Sequence, residues 1–317
     1  MRSPEYYNGG VSFFIELLRF IRKITKDRKE ATMKAFVLSG GGNRGALQVG
    51  ALEFLLEREI YPDMVVGVSA GSINAAMFAS DPTLEGIRSM KLFWMDDLPK
   101  FSHPLQKSKA LMRLALGKKS LYDEASRQDF YQNFSLGERK MGEFTHPKLY
   151  ITAVSLPDGG LHVFGDNPDE LLGDAVMSST ALPPLYSPWQ VDGRVYVDGG
   201  ACSNLPLRVA VERGADEIYA LNLIRPKDVK NVQLDRIFTI GDRTLGSLLD
   251  YTMELEIEMV KNNPNLQLHL INLKANEFPP IWDLSQTETM INDGRQLTEQ
   301  YFSTQIDRRS LECLKQQ

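Results

Sequence analysis

The sequence has little cysteine, little histidine and no long apolar run. Its two cysteines, Cys202 and Cys313, exclude a disulfide-stapled scaffold and any four-cysteine metal site. The four histidines show no HExxH spacing and no close pairing with cysteine, so no zinc motif is evident. No cofactor is predicted for this chain. No run of about 18 uninterrupted apolar residues is present, so no transmembrane helix is expected.

The chain also lacks the excess of basic residues that is typical of nucleic-acid-binding domains. Its 317 residues contain 36 Lys and Arg against 41 Asp and Glu, a formal net charge of −5. This balance excludes a global electrostatic footprint for nucleic acid. With 43% hydrophobic residues, the composition indicates a soluble globular protein, which we expect to be cytoplasmic.

The charge is unevenly distributed, and the N-terminus is basic. Residues 1–34 hold eight basic and four acidic side chains, a local charge of +4 that leaves −9 for the remainder. The stretch from Val11 to Ile24 has the spacing of an amphipathic helix, and Glu16 and Arg19 interrupt its apolar character too early for a signal peptide. We therefore predict a basic amphipathic arm over 1–32. It either lies on an anionic membrane face or docks on protein.

A second basic segment spans 91–119. Seven Lys and Arg in it oppose only Asp96 and Asp97, a local charge of +5. The segment reads as an insertion or lid. Its cations form either a solvated face or a surface for anionic headgroups, which predicts peripheral contact at the inner membrane face.

Strand and helix signals alternate in the first 80 residues. Apolar strands are predicted at Met33–Leu38 and Met64–Val68, and each runs through a glycine-containing loop into a helix. This alternation favours a parallel sheet with helices on its faces. Hairpins are predicted around 157–160 and 192–193, and a closing helix over 285–302 with an interruption at Gly294. Because no repeat or low-complexity linker is found, a single main domain is expected.

The strongest local signal for chemistry is Gly67-x-Ser69-x-Gly71. A serine at a sharp strand-to-helix turn projects its hydroxyl above the sheet, and the following helix directs its N–H groups at a developing oxyanion. A tight turn with a helix-capping serine would give the same string.

A glycine loop, Gly40-x-Gly42-x-x-Gly45, follows the first strand. As a dinucleotide fingerprint it needs an acid at the end of the second strand, but Asp63 precedes that strand. As an oxyanion hole it offers backbone N–H groups at the same sheet edge as Ser69, with Arg44 adding positive charge or binding a phosphate. A nucleotide-binding oxidoreductase therefore stays as an alternative.

A serine nucleophile needs a base, and the sequence offers two kinds. The order Ser69, Asp198, His269 allows a histidine triad, although His269 falls inside an alternating strand. The other histidines are His103, His146 and His162. Asp198 itself follows a strand and precedes Gly199 and Gly200, and a carboxylate can act as base if burial raises its pKa. An ordinary Asp-Gly turn is the plain interpretation.

Taken in order, these elements resemble the patatin-like phospholipase family. The resemblance lies in Gly40–Gly45, Gly67–Gly71 and Asp198–Gly200, and it continues in Ser178–Pro184 before the aspartate. After the aspartate, Asn204–Pro206 and Gly214–Asp216 extend it, so that it covers Met33 to about Phe302.

The resemblance implies a three-layer α/β/α sandwich with a mainly parallel central sheet, and a serine–aspartate dyad without metal. Ser69 would be the nucleophile and Asp198 the base. The oxyanion would be held by Gly40, Gly41, Gly42 and Arg44, with Gly45, Gly67, Gly71, Gly199 and Gly200 as motif glycines. The reaction would be hydrolysis of phospholipid, lysophospholipid or related acyl esters through an acyl-serine. We assign 33–305 to this catalytic domain and 306–317 to a tail; a Ser-His-Asp carboxylesterase stays as an alternative.

Overall fold

The computed structural model describes residues 32–102, 106–225, 237–275 and 283–315, and within them eight strands form one mixed sheet. Strands β3, β2, β1, β7 and β8 are parallel neighbours in that order, whereas β4, β5 and β6 are antiparallel to their partners. The strands are β1 Lys34–Leu38, β2 Met64–Val68, β3 Lys148–Ser155, β4 Leu161–Phe164, β5 Trp189–Val191, β6 Arg194–Asp198, β7 Glu217–Ile224 and β8 Gln267–Lys274.

Helices connect the strands and cover both faces of the sheet. The α-helices are α1 Gly45–Glu57, α2 Ala70–Ser80, α3 Leu84–Leu92, α4 Leu98–Phe101, α5 Lys107–Ala115, α6 Glu124–Asn133, α7 Leu172–Ser179, α8 Leu207–Glu212, α9 Ile237–Lys261 and α10 Thr287–Lys315. A π-helical segment, Phe93–Asp97, joins α3 to α4, and short 3-10 turns lie at Gly42–Arg44, Met141–Glu143 and Gly199–Ala201.

Alternating side chains of the strands divide the core into two clusters. In β1, Phe36 and Leu38 pack with α1, α2, α3, α7 and α10 on one face. Ala35 and Val37 pack with α8 and α9 on the other. Because successive residues of a strand point to opposite faces, a strand that is apolar throughout requires cover on both sides. The predicted three-layer α/β/α architecture with a mainly parallel sheet is confirmed.

Strands β2 and β6 end against each other beside β3. Ala153 of β3 pairs with His162 of β4 on one side and with Asp198 of β6 on the other. Thr152, one residue earlier, pairs with the same β4 and, on its other side, with Val68 of β2. Strands β2 and β6 therefore lie along the same side of β3 and run in opposite directions. Their carboxyl ends meet there, which brings the residues after Val68 and at Asp198 together.

Both predicted hairpins are confirmed, and the second has the turn geometry that its sequence demands. Strands β5 and β6 pair across Asp192 and Gly193, whose φ angles are 47° and 78°. Positive φ at both central residues is the mark of a type I′ turn, whose twist matches that of the strands.

The closing helix differs from its prediction at Gly294. Helix α10 is continuous from Thr287 to Lys315, and Gly294 lies against the Leu47 carbonyl of α1, where a Cβ would collide with the backbone. The glycine therefore allows two helices to approach closely and does not interrupt the helix. The helix passes residue 305, and the predicted domain boundaries stay predictions.

The basic segment 91–119 divides into two parts. Its first part belongs to the core, because Trp94 is 1% exposed and donates from Nε1 to Asn74 Oδ1 at 2.7 Å. Its second part, from α5 onward, lies at the surface. The predicted N-terminal helix lies outside the described residues. No helix in the described part of the chain is long and apolar enough to span a membrane.

Candidate active site

Ser69 occupies the sharp turn between β2 and α2. Its φ of 53° and ψ of −124° are unusual for a non-glycine residue, and such strain costs on the order of 1–3 kcal/mol. The turn is held from outside, because the Ser69 N–H donates to Ser179 Oγ at 2.8 Å. Gly71 allows the turn to close, since a Cβ there would overlap the Leu38 carbonyl of β1. The half-buried serine therefore sits at the amino end of α2, where the helix dipole favours negative charge.

Asp198 ends β6 and is 2% exposed. Its Oδ1 accepts the Gly200 N–H at 2.8 Å, and the Ser69 hydroxyl is placed to donate to the same carboxylate. Its own N–H donates to the Ala181 carbonyl at 3.0 Å, which attaches it to the segment after α7. Burial raises the pKa of Asp198 to about 6, against the lowering effects of these two hydrogen bonds and of the Arg127 charge. The carboxylate is thus ionised at neutral pH yet basic enough to accept a proton.

The glycine loop follows β1 and faces Ser69. The Gly40 N–H donates to the Asn204 carbonyl at 3.1 Å, and a Cβ at Gly40 would lie only 3.0 Å from Ser69 Cβ. Arg44, which is 9% exposed, donates from Nε to the Gly41 carbonyl at 3.0 Å. Because a trans peptide points its C=O and N–H in opposite directions, this bond also orients the Gly42 N–H.

These residues line one pocket at the carboxyl edge of the parallel strands. The pocket is narrow and partly open to solvent. The lining consists of Gly40, Gly41, Gly42, Arg44, Ser69, Leu182, Asp198, Asn204, Leu223, Arg225, Leu249 and Asp250. A wider groove along α9 shares Arg225 and Asp250 with this pocket and continues past Met253 and Ile257. The strand ends of a parallel sheet are where α/β proteins bind ligands.

The motif glycines surround the pocket. Gly45 begins α1 under Trp94, and Gly67 in β2 packs against the Gly71 carbonyl. Gly199 packs against the Thr152 carbonyl of β3, and a Cβ at Gly200 would come within 3.1 Å of Asp198 Oδ1. The structure therefore brings Ser69, Asp198, Gly40, Gly41, Gly42 and Arg44 to one pocket, and the other motif glycines lie in the elements that flank it.

The described histidines lie away from this pocket. His269 lies in the edge strand β8 and pairs with Tyr219 of β7. It is at the level of Val65, four residues short of Ser69, with β1 and β7 between. His162 lies across β3 from Asp198, about 10 Å away, and its Nε2 contacts Glu170 at 2.9 Å. His146 is exposed before the start of β3. His103 lies outside the described residues.

The geometry also opposes a dinucleotide site. Asp63 accepts the Lys34 N–H at 2.8 Å, where β1 and β2 begin, so it lies at the opposite sheet edge from the glycine loop. A ribose-binding carboxylate has to follow the second strand. Within the described ranges, no group of three or more His, Cys, Asp or Glu is arranged to hold a metal ion.

Three contact residues of the site were not predicted in these roles. Ser179 holds the Ser69 N–H, Asn204 holds the Gly40 N–H through its carbonyl, and Arg127 approaches Asp198 from α6. Ser179 and Asn204 belong to the segments that carry the resemblance, which was the available signal. Arg127 has no motif around it.

The chain is similar to proteins of one known family. The sequence model of the family described as Patatin-like phospholipase matches residues 36–211, more than half of the chain. Patatin-like phospholipase domain-containing protein 7 of Rattus norvegicus is 30% identical over 190 residues, which cover 60% of this chain and 13% of that protein. Neuropathy target esterase sws of Drosophila melanogaster is 29% identical over 192 residues, 59% of this chain and 12% of that protein.

Both matches span only about an eighth of the relatives' length. Among solved structures, VipD from Legionella pneumophila is similar with a TM-score of 0.48 and 16% identity, over 86% of this chain and 67% of that chain.

Proposed function

The chain belongs to the patatin-like phospholipase family, and we propose that it hydrolyses carboxylic esters of acyl lipids with Ser69 and Asp198 as a catalytic dyad. The observation that carries this proposal is the placement of the Ser69 hydroxyl beside a buried carboxylate whose pKa is raised to about 6. A base with a pKa near the working pH accepts a proton efficiently while it is still ionised.

In the proposed first step, Ser69 Oγ attacks the ester carbonyl carbon while its proton passes to the Asp198 carboxylate. The resulting oxyanion accepts the N–H groups of Gly41 and Gly42. We assign Gly40 to shaping the pocket, since its N–H already binds Asn204. Arg44 holds the Gly41 carbonyl and contributes positive charge. When the intermediate collapses, the alcohol leaves and takes the proton from Asp198. The acyl group stays on Ser69 as an acyl-serine.

In the second step, Asp198 removes a proton from a water molecule that attacks the acyl-serine. Collapse of the second oxyanion releases the carboxylic acid, and the proton returns to Ser69 Oγ. The amino end of α2 and the glycine loop stabilise both oxyanions. Asp198 acts as the base in both half-reactions.

The pocket wall supports an acyl-lipid substrate. Leu182, Leu223 and Leu249 line it beside the dyad and provide an apolar surface for carbon atoms near the ester. The groove along α9 gives room for a further part of the lipid. We also propose that the protein meets its substrate at an anionic membrane surface, through the cations of 1–34 and 91–119.

Labelling with a fluorophosphonate tests the nucleophile directly. We expect the wild type to be labelled on Ser69, and Ser69→Ala to show no label while keeping its thermal transition. A panel of phospholipids, lysophospholipids and a short-chain water-soluble ester then assigns the substrate class, with Ser69→Ala assayed side by side. Labelling of both proteins to the same extent, or equal turnover by both, would sink the proposal.

A further inference from the structure

The end of α5 and the turn after it expose four large apolar side chains. Leu111, Met112, Leu114 and Leu116 are 61%, 57%, 59% and 65% exposed, although each is a large side chain. Ala110, one turn before Leu114, is 2% exposed, so α5 buries a small residue and leaves the large ones in solvent. A helix that only packs on its own protein shows the reverse arrangement.

All charged residues in the same stretch are basic. From Gln106 to Tyr122 there are five Lys and Arg and no Asp or Glu. Lys109, Lys118 and Lys119 are exposed around the apolar side chains. Exposed aliphatic side chains with cations around them favour binding to an anionic lipid surface, where the cations meet the headgroups and the aliphatic side chains meet the acyl chains.

The exposed tip is rigidly built. Helix α5 ends in a Schellman motif, with Gly117 at φ 63°, the Gly117 N–H on the Leu114 carbonyl at 3.0 Å and the Lys118 N–H on the Arg113 carbonyl at 2.9 Å. Arg113 also donates from Nε to the Ser120 carbonyl at 2.9 Å. The apolar residues are therefore presented by an ordered turn.

This tip is tied to the mouth of the active-site pocket. The Leu121 and Tyr122 N–H groups donate to the carbonyls of Pro184 and Leu185 at 2.9 and 3.0 Å. Leu182, two residues before Pro184, lines the pocket. A lipid surface at the tip would thus lie beside the entrance to the dyad.

We infer that residues 111–119, hereafter the α5 tip, insert into the surface of an anionic bilayer, with the four apolar side chains among the acyl chains and Lys118 and Lys119 at the headgroups. This inference rests on the proposed function, since it places the substrate's own surface at the pocket mouth.

Helix α9 offers a matched control. Leu248, Tyr251 and Leu255 are exposed to 58%, 60% and 48%, close to the values at the α5 tip. Their surroundings are acidic, because Glu254 and Glu258 are exposed on the same helix and no Lys or Arg lies between Leu248 and Leu255. An anionic bilayer repels this acidic face. The α9 face therefore has exposed leucines without cations, whereas the α5 tip has exposed leucines beside cations.

The experiment uses the full chain with Ser69→Ala, so that binding is read without turnover. In a Cys202→Ser, Cys313→Ser background, Leu114→Cys or Leu248→Cys is labelled with an environment-sensitive nitrobenzoxadiazole dye. We expect a blue shift and a severalfold rise in emission for the Leu114 site with vesicles of phosphatidylglycerol and phosphatidylcholine, and no change for the Leu248 site. Replacing Leu114 and Leu116 by Ser should weaken vesicle binding at least ~10-fold.

No emission change at Leu114, or equal changes at both sites, would overturn the inference. The readout at a single position separates insertion of this tip from binding by any other segment. Fluorophosphonate labelling of the otherwise unchanged wild type on Ser69 reports the proposed function independently. If Ser69 is not labelled but the dye at Leu114 still shifts its emission, the catalytic dyad is refuted and insertion of the α5 tip stands.

Arg127 carries a second, independent inference. It projects from α6, is 9% exposed and stacks on Tyr186, with its guanidinium carbon 5.0 Å from the ring centre. It donates to the Met177 carbonyl at 2.6 Å and to the Thr180 carbonyl at 3.0 Å, at the carboxyl end of α7. Free carbonyls and the negative end of the dipole make this a favourable place for a cation.

The segment that Arg127 holds contacts both members of the dyad. Ser179 Oγ accepts the Ser69 N–H and the Ala181 carbonyl accepts the Asp198 N–H. We infer that Arg127 is a positioning residue, which fixes residues 177–181 and through them the distance and orientation of Ser69 relative to Asp198.

The Arg127 charge also acts on Asp198 directly, by favouring its ionised form. Other charged groups face the same pocket, namely Arg44, Arg225 and Asp250. Tyr186, which packs on Arg127, has its pKa raised by burial, so it stays neutral. Removal of the Arg127 charge should therefore raise the pKa of Asp198.

The test compares Arg127→Met and Arg127→Lys in hydrolysis of a soluble short-chain ester across pH. We expect Arg127→Met to lower kcat/KM at least ~10-fold and to move its acid limb upward by at least ~0.5 pH unit, whereas Arg127→Lys restores the limb. Arg139→Met is the control, because Arg139 stacks on Phe144 at 4.2 Å and bonds Ser80 and Glu143, away from the dyad. A fall in thermal stability with an unmoved acid limb in both Arg127 variants would overturn the positioning role.

Discussion

Two carboxylates of the sheet lie beside a candidate catalytic partner, Asp198 beside Ser69 and Glu217 beside His269. Glu217 Oε1 is 3.2 Å from His269 Nε2 and accepts the Tyr219 hydroxyl at 2.7 Å. His269 in turn stacks on Tyr219 with the ring centres 4.4 Å apart. This cluster occupies the body of β7 and β8, where side chains are packed by their neighbours. Asp198 and Ser69 lie at strand ends, where a pocket opens above them.

The two carboxylates also differ in what balances their charge. Lys34 Nζ lies 3.9 Å from Glu217 Oε2, which pairs that acid with a cation. Near Asp198, the cation Arg127 donates its hydrogen bonds to backbone carbonyls and makes none to the carboxylate. The Asp198 carboxylate is therefore deeply buried without a direct ion pair. The two acids therefore differ in their position in the sheet and in their partners, and neither difference is visible from residue type.

The largest expected effect comes from Ser69→Ala. Hydrolysis of a soluble ester should fall ~10⁴-fold or more in kcat, because no other hydroxyl replaces the nucleophile. The thermal midpoint should stay close to the wild-type value, since the hydroxyl makes one hydrogen bond. If Ser69→Ala keeps its turnover, the pair of Ser69 and Asp198 is no more catalytic than the pair of Glu217 and His269.

Asp198→Asn comes next, with a loss of ~10²–10⁴ in kcat, the usual contribution of a general base. The wild-type rate should rise with pH and reach half its plateau near pH 6, because the carboxylate has a pKa of about 6 and must be ionised to accept the serine proton. The Asn variant should lose this limb. A half-maximal rate near pH 4 would contradict a buried base.

Ser179→Ala tests the support of the dyad against its own neighbour. Removing Ser179 Oγ leaves the Ser69 N–H without its acceptor, so we expect a fall on the order of tenfold in kcat/KM or a loss of about 1–3 kcal/mol in the free energy of unfolding. Ser178→Ala is the matched control, since the Ser178 hydroxyl is buried without a hydrogen-bond partner in the described part of the chain. Equal effects of the two substitutions would deny Ser179 its role.

The smallest effect on activity is expected for His269→Gln. We expect kcat within ~2-fold of wild type, and a loss of about 1–2 kcal/mol in the free energy of unfolding from the broken stack and hydrogen bond. Chemical denaturation and the soluble-ester assay measure both. A collapse of activity at normal stability would restore the histidine-triad alternative.

Sequence patterns predicted much of the fold and the centre of the site. The alternation of apolar strands and helices predicted the layered sheet, and Gly67-x-Ser69-x-Gly71 predicted the turn, because both depend on residues close in the chain. Ser179 and Arg127 were missed as supports because they act over 110 and about 50 residues of separation. Gly294 was misread for the same reason, since its role depends on the Leu47 carbonyl of another helix.

The sequence by itself determined which chemistry is available: a serine at a strand-to-helix turn, a glycine loop after β1 and an acid after β6. These are local features, since turn geometry and strand ends follow from neighbouring residues. Only the tertiary structure decided which acid lies beside the serine. The pairing of β2 and β6 along one side of β3 joins Ser69 to Asp198, and the burial created by that junction raises the pKa of the carboxylate. Desolvation is a property of everything packed around a group, so it exists only once the chain has folded.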